Sequence, residues 1–210
     1  MGRKSSKVDR AWLNDHLTDP YVRQAQRDGY RARAAYKLKQ LDEQFKLVRP
    51  GARVADLGAA PGAWSQYLSR KLAGAGRVVA IDILPMEPVE GVEILEGDIR
   101  EESVLAAFEA LVGPGKLDLV LSDLAPNLSG IASADAARMD DLLALALDFA
   151  SNHLKPEGAL VAKAFHGSGF SQQVEDWKKV FAKVKEVKPE ASRARSAETF
   201  LVGIRLKTHG

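Results

Sequence analysis

The chain has 210 residues, with 30 Lys and Arg against 28 Asp and Glu, and no cysteine. That length suits one α/β domain with a short appendage and a core that needs no staples; the missing cysteines exclude disulfides, thiolate metal sites and thiol nucleophiles, and fit a reducing, cytoplasmic setting. The net charge of +2 conceals an uneven distribution, since residues 1–53 hold 13 basic against 6 acidic groups and the remainder holds 17 against 22: a basic arm for a polyanionic partner, or a solvated basic helix.

Residues 1–9 read as a polar tail. Short helices are expected over residues 11–17 and 21–28, with Pro20 suited to the first turn of the second and Gly29 to the break after it. A third helix is expected over Ala34–Phe45, where Ala35, Leu38, Leu41 and Phe45 recur at helical spacing. The chain divides into a basic arm, 1–33, partly disordered and then helical, and a body, 34–210. No run of about 18 apolar residues occurs, so no membrane-spanning helix is expected. The basic start "MGRKSSKVDR" leads into no apolar signal core, so no secretory signal is expected either. After Pro50-Gly51 the pattern changes to strands alternating with helices. "RVADLG", "RVVAIDIL", "VEILEGDI", "LDLVLSDLA" and "GALVAKAF" read as five short buried strands. Helices are read in "SQYLSRKL", over residues 101–111 and 134–153, and in "SQQVEDWKKVFAKV". "VKEVKPE" and "TFLVGIRL" follow as two consecutive strands. The expected fold is α/β, Rossmann-like: a mostly parallel seven-stranded sheet with one antiparallel edge strand and helices on both faces.

In such sheets ligands bind beyond the carboxyl ends of the strands. Those ends carry Asp56-Leu57-Gly58, Asp82, Gly97-Asp98-Ile99, Asp123 and Lys163. The first loop, Gly58-x-x-x-Gly62, is not the dinucleotide fingerprint, and the carboxylates around it would repel a pyrophosphate. They suit a ligand with hydroxyls and positive charge. Asp82 is placed to hold ribose hydroxyls, Asp98 to accept from the amine of adenine, and Gly58 and Gly62 to let the ligand approach the backbone. S-adenosylmethionine fits that description; the plainer alternative is a tight turn among scattered surface acids. Lys163, near the end of an apolar strand, is costly to bury unpaired, and Asp123 comes off the next strand. Lys37 on the basic helix and Glu198 at the entry to the last strand are further candidates. A lysine starting near pKa ~10.4 must be lowered by several units to act as a base near neutrality. Which lysine is the base stays open.

Together "DLGAAPGAW", "IDI", "GDI", "SDLAPN", "VAKAF" and "SRARSAET" resemble the FtsJ (RrmJ)-type ribose 2′-O-methyltransferases, class I enzymes dependent on S-adenosylmethionine. The resemblance is colinear from about residue 37 to 206. It implies a catalytic tetrad at Lys37, Asp123, Lys163 and Glu198, and cofactor contacts at Gly62, Trp64, Asp82, Asp98 and Asp123. Within the family, the compact form with a short basic arm implies a particular acceptor: a uridine of large-subunit (23S) ribosomal RNA in the assembled subunit. Transfer RNA as substrate, or an RNA-binding assembly factor, are the alternatives. Arg23, Arg27, Arg31 and Arg33 on the arm, with Arg193 and Arg195 across the cleft, are the expected phosphate contacts. Tyr21, Tyr30 and Tyr36 either stack on bases or pack the arm onto the body. His16, His153, His166 and His209 lack metal-ligand spacing, so no metal is expected. The chain is expected to be a cytoplasmic monomer.

Overall fold

The computed structural model describes residues 19–127, 129–167 and 169–207. The expected tail, the helix at 11–17, His16 and His209 lie outside them. The described residues begin with helix α1, Pro20–Asp28. The Asp19 carboxylate accepts from Tyr21 N at 2.9 Å, Pro20 fills the first turn, and Gly29 closes the helix in the left-handed region at φ 69°. Helix α2 spans Ala34–Phe45, as its spacing requires.

Then come β1 (Arg53–Leu57), α3 (Ala63–Leu72), β2 (Arg77–Asp82), β3 (Val92–Glu96), α4 (Glu102–Val112) and β4 (Leu117–Ser122). They are followed by α5 (Ala132–His153), β5 (Leu154–Phe165), α6 (Phe170–Val180), β6 (Phe181–Val187) and β7 (Glu198–Leu206). The seven strands form one sheet in the order β3-β2-β1-β4-β5-β7-β6. The chain works outward from β1 to β3, then returns to lay β4 on the other side of β1. That reversal is the switch point at which ligands gather.

The antiparallel pair lies at one edge, as expected. Of its two strands it is β7 that runs against the rest, and it pairs with both β5 and β6, leaving β6 outermost. The helical reading of 171–184 is cut short. Helix α6 ends at Val180 and the chain enters β6 at once. Phe181 is the reason: its ring is buried 5.7 Å from that of Trp177, and its backbone pairs with Leu206. Burial of that ring outweighs the helical periodicity of the polar residues that follow.

The period-2 alternation of the strands divides the core. Ala55, Leu57, Val79, Ile81, Leu160 and Ala162 face one side, against Phe108, Leu143, Phe149 and Trp177 from α4, α5 and α6. Val54, Val78, Leu121, Val161 and Phe200 face the other, against Leu38 and Leu41 of α2 and Trp64, Tyr67 and Leu68 of α3. Lys163 continues the row of Ala159 and Val161, so it emerges on the α2 face. A buried carboxylate, Asp42, joins the two helices there, accepting from Tyr67 Oη at 2.6 Å and Val48 N at 2.8 Å. Among the described residues, no helix is long and apolar enough to cross a membrane.

Candidate active site

The strand ends are aligned by main-chain bonds. Gly58 N donates to Ile81 O at 2.9 Å and Asp123 N to Leu57 O at 2.9 Å, which brings the ends of β1, β2 and β4 level. Gly58 and Gly62 both have positive φ, 74° and 101°. A Cβ on Gly58 would stand 2.8 Å from Leu124 N, so only glycine fits that crossing. Asp82 accepts from Ala60 N at 2.9 Å and from Leu84 N at 2.8 Å. A carboxylate has about four acceptor directions, so capacity remains for ligand hydroxyls. Ile83 and Leu84, just beyond, are exposed. Asp98 is paired with the Arg100 guanidinium at 2.6 Å, which holds its carboxyl below the usual range.

Asp56 lies beneath the loop and is fully buried. Its Oδ2 accepts the Ser65 hydroxyl at 2.7 Å, while Oδ1 has no partner. Burial raises this carboxyl to about 7, the Ser65 bonds hold it back, and the charges of Asp123 and Asp82 push it further up. The carboxylates of Asp82 and Asp123 at this edge attract a cation.

Two lysine–carboxylate pairs stand on the α2 face. Lys163 Nζ, 8% exposed as a residue, is 2.9 Å from Asp123 Oδ1 and donates to the Asp123 carbonyl at 2.8 Å. Lys37 Nζ, carried in by α2, lies 2.6 Å from Glu198 Oε1 and 2.8 Å from Oε2. Ser192 Oγ donates to Glu198 Oε1 at 2.8 Å. Burial pushes the Glu198 carboxyl up, but Lys37, Ser192 and Lys163 together outweigh it and leave it below its ordinary value. The influence of Lys163 on Glu198 follows from the strand register: Lys163 pairs with Phe200 and Phe165 with Glu198, so all four side chains share one face. Residues from α2, β5, β7 and the end of β4 thus meet in one cluster. Ser192 was missed in the sequence, where it was one small polar residue within "SRARSA".

Other expected residues are engaged elsewhere. The Trp64 indole is buried, donates to Ala34 O at 2.8 Å and packs 5.9 Å from Phe200, so its side chain serves the core. Arg31 is tied down: it donates to Pro61 O at 3.0 Å, Glu87 O at 2.6 Å and Pro88 O at 2.7 Å. Arg33 bonds Asp19 and the Ala191 carbonyl. The tyrosines pack inward. Tyr36 donates to Asp28 at 2.6 Å and its ring lies between those of Tyr21 and Tyr30, 5.6 and 5.7 Å away. Arg23, Arg27, Arg193 and Arg195 are exposed. His153 meets Glu109 at 2.9 Å and His166 meets Glu186 at 2.7 Å. Among the described residues, no group of His, Cys, Asp and Glu could hold a metal ion. A second groove, between α5 and α6 around Asp140, Gln173 and Trp177, opens on the other face of the sheet and belongs to none of this.

The strand order and the ligand-facing edge define a Rossmann-like methyltransferase fold. Residues 30–206 match the model of the FtsJ-like methyltransferases, and the chain belongs to that family. It is 58% identical to Ribosomal RNA large subunit methyltransferase E of Albidiferax ferrireducens, with 98% of each chain covered. It is 59% identical to the protein of that name from Ralstonia nicotianae, over 98% of this chain and 99% of the relative. A Plasmodium falciparum crystal structure described as a ribosomal RNA methyltransferase superposes with a TM-score of 0.75 at 25% identity, covering 84% of this chain and 98% of that one. The methyl donor of the family is S-adenosylmethionine. The residues present fit it: spare acceptors on Asp82 and exposed apolar surface at Ile83 and Leu84 just beyond it.

Proposed function

We propose that this chain transfers a methyl group from S-adenosylmethionine to a ribose 2′-hydroxyl of large-subunit ribosomal RNA, the acceptor being a uridine in the assembled subunit. The observation that carries this reading is the meeting of two lysine–carboxylate pairs at the switch point, with Lys163 held against Asp123 and Lys37 against Glu198. The names of the curated relatives support the choice of RNA.

When bound, S-adenosylmethionine supplies a methyl on a sulfonium that is already a good leaving group. What the chain must add is an oxygen held in line at close range and a destination for its proton. Asp82, Asp98 and the Gly58–Gly62 turn hold the donor beside β1 and β2. The acceptor hydroxyl lies toward β5, where Lys163, as the neutral amine, takes its proton to become the ammonium and Asp123 fixes its direction and balances the charge that forms. Lys37 and Glu198 neutralise each other and set the field around that amine. Exposed Arg23, Arg27, Arg193 and Arg195 contact phosphates, which position RNA without reading its sequence.

The test is methyl transfer from labelled S-adenosylmethionine to large subunits, small subunits and bulk transfer RNA, with Lys163→Ala alongside. Label in the large subunit alone, lost in the variant while the cofactor still binds, is the expected result. Label in transfer RNA would overturn the acceptor, and an active variant would remove Lys163 from its role.

A further inference from the structure

Large apolar side chains exposed singly on a surface need no explanation. Here Ile83, Leu84, Ile131 and Phe165, the large apolar residues exposed among the described ones, all lie at or beyond carboxyl ends of strands, the edge at which ligands bind. A ligand bound at that edge would cover them. Ile83 and Leu84 follow Asp82 at the end of β2 and belong to the donor side. Phe165 ends β5, three strand spacings or about 14 Å away. Asp123, at the end of the intervening β4, stands between them.

Phe165 is two residues beyond Lys163 and therefore on the same face of the strand. It pairs across the ladder with Glu198. Its neighbour His166 turns to Phe170, with ring centroids 4.7 Å apart, but among the described residues no aromatic ring packs on Phe165 itself. Phe165, 36% exposed, thus offers part of an aromatic ring to solvent directly beside Lys163 and Glu198.

We infer that Phe165 is the platform on which the base of the acceptor nucleotide stacks while its 2′-hydroxyl meets Lys163. This rests on the proposed ribose acceptor. A nucleotide inside a stack does not present its sugar to a recessed lysine, so it must be splayed out, and an unstacked base seeks a new face. Every base has a π-face, so Phe165 holds position and leaves base identity to the surrounding RNA.

Phe165→Ala, Phe165→Leu and Phe165→Trp test this in methylation of large subunits. The alanine variant is expected to raise KM for subunits on the order of tenfold, with cofactor affinity unchanged. Tryptophan restores the wild-type value, and leucine, apolar without a π-face, stays weak. In parallel, the affinity for a single-stranded RNA oligonucleotide, followed by fluorescence anisotropy, should fall in Phe165→Ala and be retained in Phe165→Trp. Wild-type behaviour of Phe165→Ala in both readouts overturns the platform while leaving the acceptor intact. So does a parallel fall in cofactor affinity, which would mean that Phe165 only supports the fold. If the wild type methylates transfer RNA instead of subunits and Phe165→Ala weakens that transfer, the choice of RNA fails and the platform stands.

Discussion

Asp56 enters the folded state with a carboxyl that prefers its proton. Its folded value of about 7 lies above the ~3.9 of an unfolded aspartate. Between these values the folded protein keeps a proton that the unfolded chain has lost, so stability is highest at the acid end of the window and falls as pH rises to about 7. Above that the contribution is constant. The whole excursion amounts to roughly 4 kcal/mol at most. Asp56→Asn, which keeps an acceptor for Ser65, should flatten this slope. Denaturant melts at about pH 4.5 and 7.5 measure it, and an equal decline in both proteins would show Asp56 to be ionised throughout. Legibility in the sequence varied residue by residue. Asp56, Asp82, Asp123 and Lys163 were placed by strand periodicity and the rule for strand ends alone. Trp64 and Ser192 were not, because which way an indole turns or a hydroxyl points is decided by neighbours distant in sequence.

At the scale of the element, the segment after α1 behaves as a strap. Arg31 gathers the carbonyls of Pro61, Glu87 and Pro88, and its own amide donates to Gln66 Oε1 at 2.7 Å. Arg70 reaches back from α3 to Asp28 O and Gly29 O, both at 2.8 Å, with its guanidinium 4.4 Å from the centre of the Tyr30 ring. One arginine thus joins the turn of Gly62 to the loop after β2, the two loops beside Asp82. Arg31→Ala should weaken S-adenosylmethionine binding on the order of tenfold and destabilise the fold by about 2 kcal/mol, both read by calorimetry. Arg31→Lys, which cannot span three carbonyls, should recover only part. Cofactor affinity equal to wild type would mean that each loop holds its own shape. Helices α1 and α2 were readable from spacing and from Pro20 and Gly29. The strap was not, because a guanidinium that finds carbonyls and one left in water look alike in a sequence.

Across the whole molecule, the charge asymmetry proves only partly available for binding. Part of the positive charge of the first 53 residues is consumed internally, at Arg31, Arg33 and Lys37. Arg23, Arg27 and, across the cleft, Arg195 are exposed on the surface. Replacing these three by alanine should reduce the salt dependence of subunit binding by roughly two to three in log–log slope, since each phosphate contact carries roughly 0.7 to 0.9. Binding measured over a salt series decides it; an unchanged slope would place the RNA elsewhere. The sheet was legible as seven strands with helices on both faces, but its strand order was not, because β7 finds its place through non-local pairing.

That placement has a consequence for how the protein comes into being. Strand β7 is translated after β6, yet it lies inside the sheet and brings Glu198 with it. Until it emerges, β5 and β6 each present an open edge and Lys37 has no carboxylate to meet. The Lys37–Glu198 pair therefore cannot form as the nascent chain appears in order; it waits for the last strand.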